Sequence, residues 1–205
     1  PVLSWIFLGG RCAYCRRPIH LQYPLVELTA GILTILAYVR HPFFLHLDLW
    51  PFFTFEVICL LGLLSFAVFD VRWKLLPIEP IIVLACTVAL WQVLSGARSW
   101  SSVVYGVIAA GIFLGAQVLI SGGRWLGEGD PWLGVFLGAW LGWPRVGIGL
   151  YLTYVVGGLI LGLLLLVGIV RRGTRIPFAP LLALGAFAAL LFGDRLEEWM
   201  HLIFN

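Results

Sequence analysis

VGIGLYLTYVVGGLILGLLLLVGIV, residues 146–170, runs for 25 residues without a charged side chain. Wound as a helix it is long enough to cross a hydrocarbon layer of about 30 Å, and a helix satisfies its own backbone N–H and C=O groups, as lipid demands. The rest of the chain repeats this pattern. Towards the N-terminus lie Pro131–Trp143, which is short, then Ser102–Ile120, Ile78–Leu94, Phe52–Phe69 and Tyr23–Val39; towards the C-terminus lies Phe178–Phe192. The runs predict an all-α polytopic membrane protein of seven transmembrane helices, with Asp194–Asn205 as a terminal amphipathic or interfacial segment. Composition agrees: 61% of the 205 residues are hydrophobic and 11% charged, where a soluble domain carries about 25% charged. The 13 Lys and Arg are scattered and the net charge is only +3, which excludes a nucleic-acid binder. The chain opens on Pro1 with no charged n-region and cleavage site, so no signal peptide is predicted and the natural start is expected upstream.

Basic residues set the orientation, because cytoplasmic loops collect Lys and Arg. With the N-terminal segment inside, Arg11, Arg16, Arg17, Arg72, Lys74, Arg124, Arg171, Arg172 and Arg175 are cytoplasmic; Arg40, Arg98, Arg145 and Arg195 are external. Nine against four favours this topology and requires the short fifth segment to cross. Trp50, Trp73, Trp100, Trp125 and Trp143 fall near predicted helix ends and read as interfacial belts.

Four of the ten acidic residues demand a reason. Glu27 and Glu56 lie inside apolar runs, where a carboxylate must be paired, protonated or facing a wet cavity. Asp70 ends the second span in Ala67-Val68-Phe69-Asp70-Val71-Arg72-Trp73-Lys74-Leu75-Leu76-Pro77, against the negative end of the helix dipole. Asp130 sits in Gly127-Glu128-Gly129-Asp130-Pro131, where an Asp-Pro pair suits a helix start, and the two glycines permit a bend or a close approach. The predicted topology puts Asp70 and Asp130 at cytoplasmic helix ends, where they could meet. Two carboxyls in one site do not both ionise readily, which supplies an acid and a base for attack of water on a peptide bond.

These residues carry a family resemblance. Asp70 with Pro77 seven positions on, the Gly127–Asp130 quartet, the leading Gly10-Arg11-Cys12-Ala13-Tyr14-Cys15-Arg16-Arg17-Pro18-Ile19, Tyr23-Pro24-Leu25-Val26-Glu27-Leu28 and Arg175-Ile176-Pro177-Phe178-Ala179-Pro180 together resemble a prepilin peptidase, or type IV leader peptidase, of the GxGD class of membrane aspartyl proteases. The resemblance implies that Asp70 and Asp130 are catalytic, and that Gly127, Glu128 and Gly129 line the substrate site. It implies cleavage of the basic leader from type IV pilin or type II secretion pseudopilin precursors at the cytoplasmic face of a bacterial inner membrane. N-methylation of the new N-terminus with S-adenosylmethionine is a further implied activity. Two departures stand out: Pro131 and Trp132 follow the quartet where the family often has an apolar residue and then Lys, and Ile78 follows Pro77 where Asp or Asn is common.

Cys12 and Cys15 form a CxxC in a basic, loop-like segment, where zinc is a more usual partner than a disulfide. The family commonly has a second CxxC and one more helix upstream, so residues 1–22 read as half of a structural zinc site, and residues 23–205 as the transmembrane protease domain. A homodimer or bound lipid would cover the face such a helix leaves. The alternatives are another GxGD intramembrane protease, a small proton-coupled transporter using Glu27, Glu56, Asp70 and Asp130, or an inactive relative. The CxxC segment favours the prepilin branch, and the lack of an internal repeat disfavours a transporter.

Overall fold

A computed structural model describes residues 2–42, 44–168 and 176–204, with side chains in the last helix described to Gly193 and at Arg195. Arg171, Arg172 and Arg175, part of the predicted charge asymmetry, lie outside the described residues. Among these residues the chain forms α1 (Val2–Phe7), α2 (Gln22–Arg40), α3 (Trp50–Trp73), α4 (Ile78–Leu94), α5 (Trp100–Ser121), α6 (Asp130–Leu141), α7 (Arg145–Leu166) and α8 (Ala179–Phe204), and no strand. Helix α2, α3 with the turn before it, α5 and α7 are long and apolar enough to span a membrane; α4 and Ala179–Gly193 are shorter apolar helices. The protein is therefore an all-helical, multi-pass membrane protein. Helices α2 to α8 match the seven predicted spans. The tail differs: α8 continues through Asp194 to Phe204 instead of breaking at Phe192. Charges end an apolar run, but Arg, Leu and Glu are good helix formers, so the backbone continues.

The chain divides into two compact units, residues 1–65 and 66–205. In the first, the indole N–H of Trp5 donates to the Ile19 carbonyl at 3.2 Å and the Ile19 N–H donates to Gly10 at 2.7 Å. Glu56, buried in α3, pairs with Arg40 at the end of α2, Nε to Oε1 3.2 Å. That pairing accounts for a carboxylate inside an apolar run. Glu27, by contrast, stands exposed in α2.

In the second unit α6 is the centre, packed on α4, α5, α7 and α8. Its Asp130, Leu133, Gly134 and every residue from Phe136 to Leu141 are buried. Close approach to α5 rests on small residues, as in membrane bundles generally. A Cβ on Gly106 would lie 2.5 Å from the Gly138 carbonyl oxygen, and one on Gly138 would overlap the Gly106 backbone. Gly149 and Thr153 of α7 meet Gly185 of α8 in the same way.

The far end of α6 is pinned. Buried Gln92, near the end of α4, donates from Nε2 to the Trp140 carbonyl at 2.6 Å; Ser102, at the start of α5, donates from Oγ to the Trp143 carbonyl at 2.7 Å and accepts the Trp143 N–H at its own carbonyl. Thus α4 and α6 run the same way and α5 runs back. The loops at 74–77 and 122–129 therefore share the other end of this unit, where Asp130 begins α6.

Candidate active site

Asp70 lies one turn before the end of α3. Lys74 stops that helix: its N–H donates to the Asp70 carbonyl at 2.7 Å while its φ takes the left-handed value of 54°. Pro77 then denies helix to the residue before it and leads into α4. The short link Lys74–Pro77 results.

On the other side, Ser121 ends α5, and its Oγ accepts the Trp125 N–H at 3.3 Å. Gly122 and Gly123, with φ of 57° and 72°, turn the chain out of the helix, and Gly123 N–H closes on the Val118 carbonyl. The loop re-enters helix at Asp130, with Pro131 next, where a missing N–H costs nothing. The Asp130 side chain does not cap α6. Its Oδ2 instead accepts the Gly127 N–H at 2.7 Å, folding the quartet back on its own carboxylate.

Neither glycine of the quartet has positive φ. What Gly129 provides is room: a Cβ there would sit 2.5 Å from Leu76 Cβ. The link after Asp70 thus presses on the turn before Asp130. Both side chains are buried, Asp70 to 7% and Asp130 to 4% exposure.

A third element completes the arrangement. Phe178 caps α8: its carbonyl accepts the N–H groups of Leu181 and Leu182. Pro180 has no N–H, which leaves Ala179 as the first-turn donor without a partner inside the helix. That N–H donates to Asp70 Oδ2 at 2.9 Å, in a buried bond across 109 residues. The sequence segment around Pro177 and Pro180 could be singled out, but nothing in it names Asp70 as the acceptor.

Of the other predicted residues, Gly127 and Glu128 are exposed beside Asp130 and Gly129 is half-buried. Cys12 and Cys15 lie in a tight turn in which Cys12 N–H donates to the Arg17 carbonyl and Arg16 N–H to that of Cys12. The backbone N–H groups of Cys15 and Tyr14 hold the Cys12 thiol below the ordinary thiol range. Two thiols are two of the four ligands a structural zinc takes. His20 Nδ1 already accepts the Gln22 N–H at 3.2 Å, and no group of three or more His, Cys, Asp or Glu gathers among the described residues. The donors present do not by themselves fit a closed zinc site.

A polytopic helical membrane protein with two buried carboxyls, each holding a backbone N–H at the same end of one unit, is the class defined so far. Residues 57–167 match the type IV leader peptidase family, and residues 1–41 match the bacterial peptidase A24 N-terminal domain. The chain belongs to the type IV leader peptidase family. It is 32% identical over 206 residues to a prepilin leader peptidase/N-methyltransferase of Stutzerimonas stutzeri, covering 96% of this chain and 67% of that protein. Proteins of the same name from Aeromonas hydrophila and Bacillus subtilis are 34% and 30% identical, over 97% and 95% of this chain and 68% and 75% of their own lengths. No solved structure matches the chain.

Proposed function

We propose that the chain is a prepilin leader peptidase whose catalytic pair is Asp70 and Asp130. The observation that carries this is their placement: two buried carboxyls at one end of the same unit, Asp70 holding the Ala179 N–H and Asp130 the Gly127 N–H, with the loop after one pressed on the turn before the other. A carboxylate offers about four acceptor positions, so each carboxyl retains capacity for water and substrate. The ionised member takes a proton from water as the oxygen attacks the scissile carbonyl. The protonated member donates to the developing oxyanion, and as the C–N bond breaks the amine leaves with a proton from the pair. The products are a carboxyl-terminated leader and a new amino terminus; no metal or cofactor is needed for these transfers.

Gly127, Glu128 and Gly129 border the pair and, in this reading, contact the substrate. The substrate is a pilin or pseudopilin precursor with a basic leader. The basic residues of the sequence, nine against four, support an active site facing the cytoplasm of a bacterial inner membrane. Residues 1–22 then form a cytoplasmic Cys-containing segment and residues 23–205 the protease domain. Zinc would use Cys12 and Cys15 together with two ligands from elsewhere. The relatives' double name supports a second activity, N-methylation with S-adenosylmethionine, and pairing into a homodimer would cover the exposed apolar residues of α2, such as Leu28, Ile32 and Ile35.

The test is cleavage of a purified prepilin-like substrate, with a basic leader ending in Gly before an apolar helix, by detergent-solubilised chain. Asp70→Asn and Asp130→Asn should each lose about 10²–10⁴-fold in rate while remaining folded. Undiminished cleavage by either variant would overturn the assignment of the pair.

A further inference from the structure

Against Phe178, at the start of the helix whose first N–H holds Asp70, lies a polar pair that the hydrolysis does not use. Tyr154, midway along α7, donates its phenol O–H to Oε1 of Gln117, near the end of α5, at 2.7 Å. Gln117 Nε2 donates one proton to the Phe113 carbonyl, a turn back, at 3.1 Å. The Tyr154 ring stands edge-on to Phe113, centroids 5.5 Å apart at 80°, and against Phe178 at 5.8 Å and 59°. Phe178 is the residue before Ala179, whose N–H holds Asp70. Tyr154 thus packs on the segment whose next N–H holds Asp70, yet is 37% exposed on the flank between α5 and α7.

Polar groups on spanning helices are expensive in lipid unless bonded, and here the bonding is incomplete. A Gln amide has two protons and a phenol oxygen two lone pairs. Among the described residues, the second Gln117 Nε2 proton and the Tyr154 lone pairs take no part in the bonds above. One donor and one acceptor side by side match one peptide unit, whose C=O accepts from Gln117 and whose N–H donates to Tyr154. A substrate helix opened for hydrolysis has peptide units next to the cut that have lost their helical partners. At membrane depth, water does not replace those partners.

We propose that Tyr154 and Gln117 dock one backbone peptide unit of the substrate adjacent to the scissile bond. The inference rests on the peptidase reading above. Both side chains position the substrate and touch no transferred proton, so they act on KM.

The experiment measures cleavage of the prepilin-like substrate by the full chain, wild type against Tyr154→Phe and Gln117→Met. It then repeats the measurement with substrates in which single backbone amides within three residues of the cut are replaced by esters, which removes one N–H at a time. Tyr154→Phe keeps the ring against Phe113 and Phe178, and melting in detergent reports folding. The expected result is a KM about tenfold higher for either variant, the loss of one hydrogen bond, with kcat within about twofold. One ester position should raise the wild-type KM by a similar factor and leave that of Tyr154→Phe unmoved. A mere clasp between α5 and α7 would instead lower the melting temperature and leave the ester response equal in both proteins, which would overturn the proposal. So would an unchanged KM in Tyr154→Phe, or in Gln117→Met should the first variant fail to fold. No cleavage by wild type would overturn the peptidase reading and this inference together, whereas cleavage abolished by Asp130→Asn but indifferent to Tyr154 and Gln117 would overturn this inference alone.

Discussion

Gly129→Ala isolates the contact between the link that follows Asp70 and the turn that precedes Asp130. The added Cβ would lie 2.5 Å from Leu76 Cβ. Ordinary carbon contacts lie at about 3.5–4.0 Å, so the link after α3 and the turn before α6 must separate by roughly 1 Å. The atom met is the stem of Leu76, so no rotamer change relieves it. A misplacement of about 1 Å at a catalytic constellation costs about 10²-fold in rate. Gly129→Ala is therefore expected to lower kcat about 100-fold, with a stability loss of about 1–3 kcal/mol, the usual range for overpacking. Gly127→Ala is the comparison. Its Cβ would meet nothing nearer than Asp130 Oδ2 at 3.5 Å, an ordinary contact, and a few-fold loss is expected. The double variant Gly129→Ala with Leu76→Gly removes the opposing Cβ and should recover at least tenfold of the loss. The assay is steady-state cleavage of the prepilin-like substrate, with melting followed in parallel. Equal losses at Gly127 and Gly129, or no recovery on opening Leu76, would refute the steric argument.

Two further outcomes follow from hydrogen bonds. Asp70→Ala strands the buried Ala179 N–H and should destabilise the chain by about 1–3 kcal/mol; Asp70→Asn keeps an acceptor there and should stay within about 0.5 kcal/mol of wild type, although both lose the cleavage rate as above. Thermal unfolding in detergent separates them, and equal stability of the two variants would remove the bond to α8 as a structural tie. The lowered Cys12 thiol, stabilised by the N–H groups of Cys15 and Tyr14, carries thiolate at lower pH than a free cysteine. Its alkylation, followed by mass spectrometry against pH, should reach half-maximum at a lower pH than that of a cysteine in an unstructured peptide; an equal or higher midpoint would rule out the turn geometry as a stabiliser.

Much of this architecture was legible in hydropathy, because a helix in lipid announces itself by length: the seven runs became α2 to α8. The shortness of α6 was visible too: the run read as Pro131–Trp143, and the helix ends two residues sooner, at Leu141. That Asp70 and Asp130 fall at the same end of the bundle was legible from the alternation of the runs. What stayed hidden was set by distant partners. Period and composition cannot show that Ala179 donates to Asp70, or that Gly129 is needed for Leu76 and not for its own φ, since both are facts of contact between loops far apart in the chain. The Asp-Pro pair illustrates the limit: it reads correctly as a helix start, yet the Asp130 side chain turns to Gly127 rather than into α6. The same holds for Gln92, an amide in an apolar run whose purpose appears only with the Trp140 carbonyl beside it.

The brevity of α6 makes it a ruler. Twelve residues rise about 18 Å, and Gln92 and Ser102 clamp the zero mark at the opposite end of the unit. The height of Asp130 is thus metered from the far side of the bundle, not from the loops around it. A residue added within α6 would swing that carboxyl about 100° around the axis and away from Asp70, while one added to the turn at Gly122–Trp125 would be absorbed before the ruler begins. Where a substrate is cut is then a matter of how deep its bond must sink to reach that mark.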